Sequence, residues 1–355
     1  MSHILDVDPP KADNLPLYQE KTRHLSISGV QLKYSLRLEG NRLALVEKGG
    51  QYILKPIPPI TLIKEADQAP ENEHLTMQIA AQVFGIRTAA NALIFFKDGT
   101  PGYLTRRFDV KADGSKFLQE DMAQLSGRSR QTAGEHFKYD GSYEEISTLI
   151  RLYVAAYPPA LENYFRLVLF NYLFANGDAH LKNFSLIQSA MSDYILTPAY
   201  DLMSTALHTP LESDTALDLY KDDTDGEYYR RYGYFGQAEF RTLADRIGIP
   251  PRRANLIITQ LLGKGEAVRN MIGGSYLSDS TKASYTENYA QRVKRLGMTG
   301  EMIGAIMNPR YPGVYAVTEA PAKLLFNDGK FIVGYFQSTP QSTQLEAGNR
   351  YTFVK

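Results

Sequence analysis

Apolar and polar side chains alternate in three short runs near the amino-terminal end. Val30-Gln31-Leu32-Lys33-Tyr34-Ser35-Leu36-Arg37-Leu38 is followed by a Glu39-Gly40-Asn41 turn and by Arg42-Leu43-Ala44-Leu45-Val46. Gly49-Gly50 then precedes Gln51-Tyr52-Ile53-Leu54-Lys55. A period of two bounded by Gly and Asn predicts strands of an antiparallel sheet. The spacing of Leu75, Ile79, Val83 and Phe84 predicts a helix with Glu73 near its start and Gly85 as its cap. Asn91–Phe96 and Gly102–Phe108 supply two further strands. Tyr164–Phe174 is apolar around most of its circumference, which predicts a buried helix stopped by Gly177. Phe184-Ser185-Leu186-Ile187 and Tyr194-Ile195-Leu196-Thr197 predict a hairpin. Helical patterns follow at 237–247, 250–272 and 279–296, the first two separated by Gly248 and Pro250, the last closed by Gly297. Beyond them, Val314–Val317, Ala322–Phe326, an Asn327-Asp328-Gly329 turn and Phe331–Phe336 predict a small hairpin-based β appendage. The expected class is α+β, with a β-rich amino-terminal lobe, a mostly helical carboxy-terminal lobe and the appendage. The expected divisions are an extension at 1–25, a β-rich lobe at 26–110, a helical lobe at 111–298 and the appendage at 299–355.

Composition narrows the chemistry. Lys plus Arg and Asp plus Glu number 39 each in 355 residues, so no global field draws the chain to nucleic acid or anionic membrane. Hydrophobic residues make up 43%, as in folded globular proteins. The absence of Cys excludes disulfides, thiolate metal sites and cysteine nucleophiles. The six His residues form no His-x-x-x-His pair. No stretch approaches the roughly 18 apolar residues of a membrane span, and the start lacks a basic segment followed by an apolar one, so a cytoplasmic protein is expected.

The candidate chemistry lies between the buried helix and the hairpin. Asn176-Gly177-Asp178-Ala179-His180-Leu181-Lys182-Asn183 places four residues between Asp178 and Asn183, and Tyr200-Asp201 follows the hairpin. Phosphoryl transfer by protein kinases uses this interval between the carboxylate at the attacking hydroxyl and the metal-binding Asn, with a further Asp on the metals. The order helix, loop, hairpin, aspartate is that of a kinase. Taken alone, the same residues also suit an ordinary turn after a helix. Lys55 ends an apolar strand as a phosphate-contacting lysine does, and Glu73 is its candidate partner on the next helix. Each could equally be a snorkelling strand-end Lys and a Glu favoured by the helix dipole. The 102–108 strand and crossover, with Arg106 and Phe108, suit adenine binding through backbone groups. A G-x-G-x-x-G loop is missing. Leu25-Ser26-Ile27-Ser28-Gly29-Val30-Gln31 stands in its place, a hydroxyl-rich turn whose amides at Ser28, Gly29 and Val30 could cover phosphate.

At these residues the chain resembles the HipA family of bacterial serine/threonine kinases, the toxins of HipBA-type toxin–antitoxin modules. The matching elements, in family order, are Ser26–Lys33, Ile53-Leu54-Lys55, Asn72-Glu73, Arg107-Phe108-Asp109, Gln119-Glu120-Asp121-Met122, Gly177–Ser185 and Leu196–Asp201. The resemblance spans roughly residues 25 to 297 and implies a two-lobed protein-kinase-like fold using ATP and Mg2+. It makes Asp178 the catalytic base, Lys55 a phosphate contact, and Asn183 and Asp201 metal ligands. His180 and Lys182 would brace the loop or touch phosphate. It also implies self-silencing autophosphorylation in the loop, at Ser26 or Ser28. A phosphate carrying a charge near −2 would be repelled by bound nucleotide phosphates. Only 25 residues precede Ser26, as in the short, HipT-like members, in which a separate small protein supplies a missing subdomain. The implied partners are a HipB-like helix-turn-helix antitoxin, a HipS-like small protein and, as substrate, an aminoacyl-tRNA synthetase. DNA would be reached only through the antitoxin, and no membrane is involved.

Lys221–Glu227 and the Tyr/Arg-rich Tyr228–Phe235 occupy an activation-loop-like position and are expected to face substrate. The catalytic string also resembles aminoglycoside phosphotransferases, so a small-molecule phosphotransferase is the alternative. A non-catalytic module bridging antitoxin and DNA is disfavoured because Lys55, Asp178, Asn183 and Asp201 are all intact.

Overall fold

The computed structural model describes residues 5, 8–10, 32–40, 42–58, 64–209, 212–222 and 226–298, together with three strands beyond residue 313. The Ser26–Val30 turn lies outside them.

Five strands, β1 (Tyr34–Glu39), β2 (Arg42–Leu45), β3 (Tyr52–Pro56), β4 (Asn91–Phe95) and β5 (Pro101–Arg106), form an antiparallel sheet in the order β2-β1-β3-β5-β4. One face closes over a small cluster of Leu5, Tyr34, Leu36, Leu54, Ile94 and Phe96. Helix α1 (Ala69–Gln82) packs on β4 and β5. Its Leu75, Met77, Ile79 and Ala80 belong to the large core shared with the helical region, so the lobes are joined by apolar packing as well as by chain. The Thr76 hydroxyl lies 2.7 Å from that of Tyr285, and Phe84 meets Phe170 and Phe174 edge-on.

The helical region is built on α2 (Tyr143–Tyr153) and α3 (Tyr157–Leu173), followed by α4 (Gln237–Arg246), α5 (Pro251–Leu262), α6 (Gly265–Gly273) and α7 (Asp279–Gly297). Helix α3 begins seven residues before the apolar run, on a Pro158-Pro159 pair that suits a first helical turn. The single helix expected over 250–272 is two helices, interrupted at Gly263-Lys264. Gly263 donates its amide to the Thr259 carbonyl, and α6 then restarts to bury Val268 and Ile272.

A second antiparallel sheet, β6 (Gln119–Asp121), β7 (Ser185–Gln188) and β8 (Tyr194–Leu196), carries the expected hairpin on an added strand. β6 is too short and polar to show a strand pattern. At the carboxy-terminal end β10 (Ala322–Phe326) pairs antiparallel with β9 (Val314–Ala316) and β11 (Tyr335–Phe336).

Candidate active site

Lys55 lies on β3 opposite Tyr103 of β5, and its ammonium stands 5.4 Å from the centre of that ring. Nζ is 2.5 Å from Glu73 on α1, with both side chains no more than 3% exposed. It also donates to Asp201 Oδ1 at 2.6 Å. Burial by itself lowers the Lys55 pKa, but the Asp201 and Glu73 carboxylates outweigh it and hold the ammonium charged. Burial likewise pushes the Asp201 carboxyl up. Lys33, 3.1 Å from Oδ2, and Lys55 reverse that and hold it far below the usual carboxylate range. Asp201 is one of four described non-glycine residues at positive φ, here 54°. A left-handed aspartate is tolerated because surrounding contacts over-determine it.

The loop bearing Asp178 is shaped by the end of α3. The helix stops at Leu173, not at Gly177, because Ala175 takes φ 48°. Its amide bonds the Tyr172 carbonyl, and the Asn176 amide bonds that of Asn171, the paired pattern of a Schellman cap. The Asn171 and Asn176 side chains join at 2.8 Å, and Asn176 Oδ1 accepts the Asp178 amide at 3.2 Å. Gly177 is needed for proximity rather than helix termination: a Cβ there would meet Glu212 Cδ at 2.5 Å. Within the loop the His180 amide and Asn183 Nδ2 both donate to the Asp178 carbonyl, at 2.8 and 2.7 Å. The Tyr143 hydroxyl donates to the Ala179 carbonyl and that of Tyr200 to the Lys182 carbonyl. Tyr200 thereby ties the residue before Asp201 to the loop that carries Asp178.

Around the Asp178 carboxylate, which is 42% exposed, four groups converge. The Tyr139 hydroxyl donates to Oδ1 at 2.5 Å, Lys138 Nζ lies at 3.9 Å and His180 Nε2 at 3.8 Å. The fourth is Glu212, on the segment following Asp201, whose carboxyl is pushed up by burial and, further, by the nearby Asp178 charge. Burial lowers His180 to about 4, so its imidazole is neutral near pH 7 and packs edge-on against Tyr139. Lys182 Nζ turns instead to Asp121 at 2.8 Å. That contact leaves it bracing the loop.

The segment after Asp201 is pinned to α1 and to the loop. Fully buried Asn72 donates to the Ser204 carbonyl and accepts its amide. Its Nδ2 also reaches His208 Nε2 at 2.9 Å, which leaves His208 Nδ1 as the donor to the Lys64 carbonyl. The Thr205 hydroxyl accepts the Gly177 amide at 2.7 Å and donates to Glu212 at 2.6 Å.

Of the residues singled out from sequence, Lys55, Glu73 and Asp201 meet directly. Asp178 and Asn183 share one loop with His180 and Lys182. Arg106 is exposed at the end of β5, and Phe108 packs against the Tyr200 ring, centroids 5.7 Å apart. Ser26, Ser28, Gly29 and Val30 lie outside the described residues. The sequence offers Lys33 only as the last residue of the matching Ser26–Lys33 element and does not single out Lys138, Tyr139 or Glu212. Nothing local marks them, since each is defined by a partner on another element.

No group of three or more His, Cys, Asp and Glu able to hold a metal occurs among the described residues. The Asn183 amide nitrogen is committed to the Asp178 carbonyl, leaving Oδ1 as an acceptor. One amide oxygen and the Asp201 carboxylate are a hard, incomplete donor set. It fits Mg2+, which takes one or two protein oxygens and completes its shell with substrate phosphates and water.

A mixed α/β architecture of this kind, a sheet lobe joined to a helical region, is shared with known proteins. The HipA protein of Shewanella oneidensis MR-1, solved with HipB and operator DNA, superposes with a TM-score of 0.59 at 22% identity, over 81% of this chain and 71% of that one. A "Putative kinase" of Haemophilus influenzae is 25% identical over 300 residues, covering 79% of this chain and 84% of that protein. "Putative kinase Y4mE" of Sinorhizobium fredii is 30% identical over 303 residues, 82% of this chain and 67% of that protein. The sequence profile of the HipA-like C-terminal domain matches residues 25–268. The chain belongs to the HipA-like C-terminal domain family.

Proposed function

We propose that the protein is an ATP- and Mg2+-dependent serine/threonine protein kinase acting as the toxin of a toxin–antitoxin pair. The observation that carries the reading is the Glu73–Lys55–Asp201 chain of contacts beside a loop presenting Asp178 and Asn183. Lys55 offers a fixed positive charge for nucleotide phosphates, and Asp178 receives the acceptor hydroxyl's proton or orients that hydroxyl. Asn183 Oδ1 and the Asp201 carboxylate are the metal-holding oxygens. When bound, Mg2+ offsets charge on the transferring phosphate. Lys33 and Lys55 hold Asp201 ionised, the form a metal requires. His180, neutral and buried, packs the loop rather than transferring a proton.

The finer assignments extend this reading. Autophosphorylation at Ser26 or Ser28 is the proposed off-switch. A HipB-like antitoxin is the proposed partner, since the Shewanella HipA was solved with HipB. A HipS-like companion and an aminoacyl-tRNA synthetase target follow from family resemblance. The proposed divisions remain 1–25, 26–110, 111–298 and 299–355.

The test is intact-mass and phosphopeptide analysis of the purified chain and its Asp178→Asn variant after incubation with ATP and Mg2+. Phosphoserine at 26 or 28 in the wild type alone is the expected result. Equal phosphate on the variant overturns the role of Asp178. Absence from both, with phosphate appearing on a sugar or metabolite, overturns the protein-kinase assignment.

A further inference from the structure

The hydroxyl nearest the candidate base belongs to the protein itself. Tyr139 ends a one-turn helix, Phe137–Tyr139, that packs on the turn containing Leu181–Asn183. Phe137 anchors that helix in the core, and Arg128, paired with Glu145 at 2.8 Å, reaches Asp140 at 3.5 Å on its far side. The backbone is thereby anchored while Tyr139 as a residue stays 37% exposed, its ring in T-shaped contact with that of His180 and under the Lys138 ammonium, 4.8 Å from its ring centre. From there it donates to Asp178 Oδ1. Burial and that hydrogen bond keep the phenol protonated, so it remains a donor across the working pH range.

A phosphate acceptor must make this same contact. Its hydroxyl oxygen forms the new bond to phosphorus as the bond to the departing nucleoside diphosphate breaks, and its proton passes to Asp178. One carboxylate oxygen cannot serve the phenol and the acceptor equally well at once.

We propose that Tyr139 is a specificity-determining residue that holds the acceptor subsite closed: its hydroxyl stands in for the acceptor at Asp178, excluding water and small alcohols until a protein segment displaces it. Displacement needs only rotation of a half-exposed side chain on a fixed backbone, and a bound protein segment can supply contacts that water cannot. Nucleotide would then be protected from futile hydrolysis. The inference rests on the kinase reading above and names the acceptor side of that site.

The experiment compares wild type, Tyr139→Phe and Asp178→Asn. It follows phosphate release from Mg-ATP in water, and transfer to casein as a generic serine-bearing acceptor. Phenylalanine keeps the ring packing and removes only the competing donor. Hydrolysis in Tyr139→Phe should rise roughly tenfold, as expected for loss of one charge-assisted hydrogen bond at a partly exposed site. The KM for casein should fall and kcat should not. Phosphate mapped to Tyr139 in the wild type would support the proposal too, since only a hydroxyl seated as the acceptor can attack the γ-phosphorus as the nucleoside diphosphate leaves. Hydrolysis unchanged or lower, with kcat reduced at constant KM, would show Tyr139 supporting Asp178 and overturn the idea. Full turnover by Asp178→Asn, or silence of all three proteins with nucleotide bound, overturns the kinase reading instead. An activity-independent readout is acetylation of Tyr139 by N-acetylimidazole, mapped by mass. It should quicken in Asp178→Asn, and equal rates in the two proteins count against a seated phenol.

Discussion

Lys55 Nζ and Asp201 Oδ1 stand 2.6 Å apart although 146 positions separate them in the chain. The contact joins the sheet lobe to the segment following the hairpin, and the same ammonium is bonded to Glu73. A charge this buried is tolerated only because both partners are present.

Removing one partner should therefore be worse than removing two. Lys55→Met leaves buried Glu73 without its ion-pair partner and Asp201 with Lys33 alone, and the expected loss is about 3 kcal/mol. Lys55→Met combined with Glu73→Leu should recover most of that stability while phosphate transfer stays absent. Urea unfolding of both variants checks it. A double variant less stable than the single would refute the coupling.

Lys33 occupies the second Asp201 oxygen from a partly exposed position. Lys33→Met should change stability by less than about 1 kcal/mol. Because it removes a competing cation, binding of Mg2+ alone should tighten, measured by calorimetric titration. Weaker binding would mean that Lys33 helps hold the site for metal.

Lys182 and Asp121 form a loop brace at 2.8 Å. If bracing is the whole role of Lys182, Lys182→Met and Asp121→Asn should lower kcat/KM by similar factors, and the double variant should be no worse than either. A Lys182 effect far larger than that of Asp121 would show that the ammonium also touches phosphate.

Buried His180 and half-buried Glu212 give stability opposite pH dependences. Burial depresses His180 to about 4 from 6.5. Its contribution is fully present above 6.5 and is lost as pH falls toward 4, at most about 3 kcal/mol. Burial raises Glu212 to about 7 from 4.5. Its contribution is present below 4.5 and is lost as pH rises through 7. Glu71, raised to about 7, acts in the same direction. Glu212→Gln should flatten part of the loss between pH 4.5 and 7, read as the slope of unfolding free energy against pH. An unaltered slope would remove Glu212 from the account.

What the chain settled by itself was local. Strand alternation placed Lys55, helical spacing placed Glu73, and a four-residue interval placed Asp178 and Asn183 in one loop, because such features depend on neighbours within a few positions. The end of α3 at Leu173 was misread, since Gly177 is the conspicuous breaker while Ala175 takes the left-handed turn. The break at Gly263-Lys264 was missed because the apolar spacing from Leu261 to Val268 runs on as if in one helix. Tertiary structure alone decided that Lys33 meets Asp201 across 168 positions, that Asn72 grips Ser204 across 132, and that Tyr139 seats on Asp178. Those contacts depend on which faces pack together, and periodicity within one segment carries no record of where another segment lies.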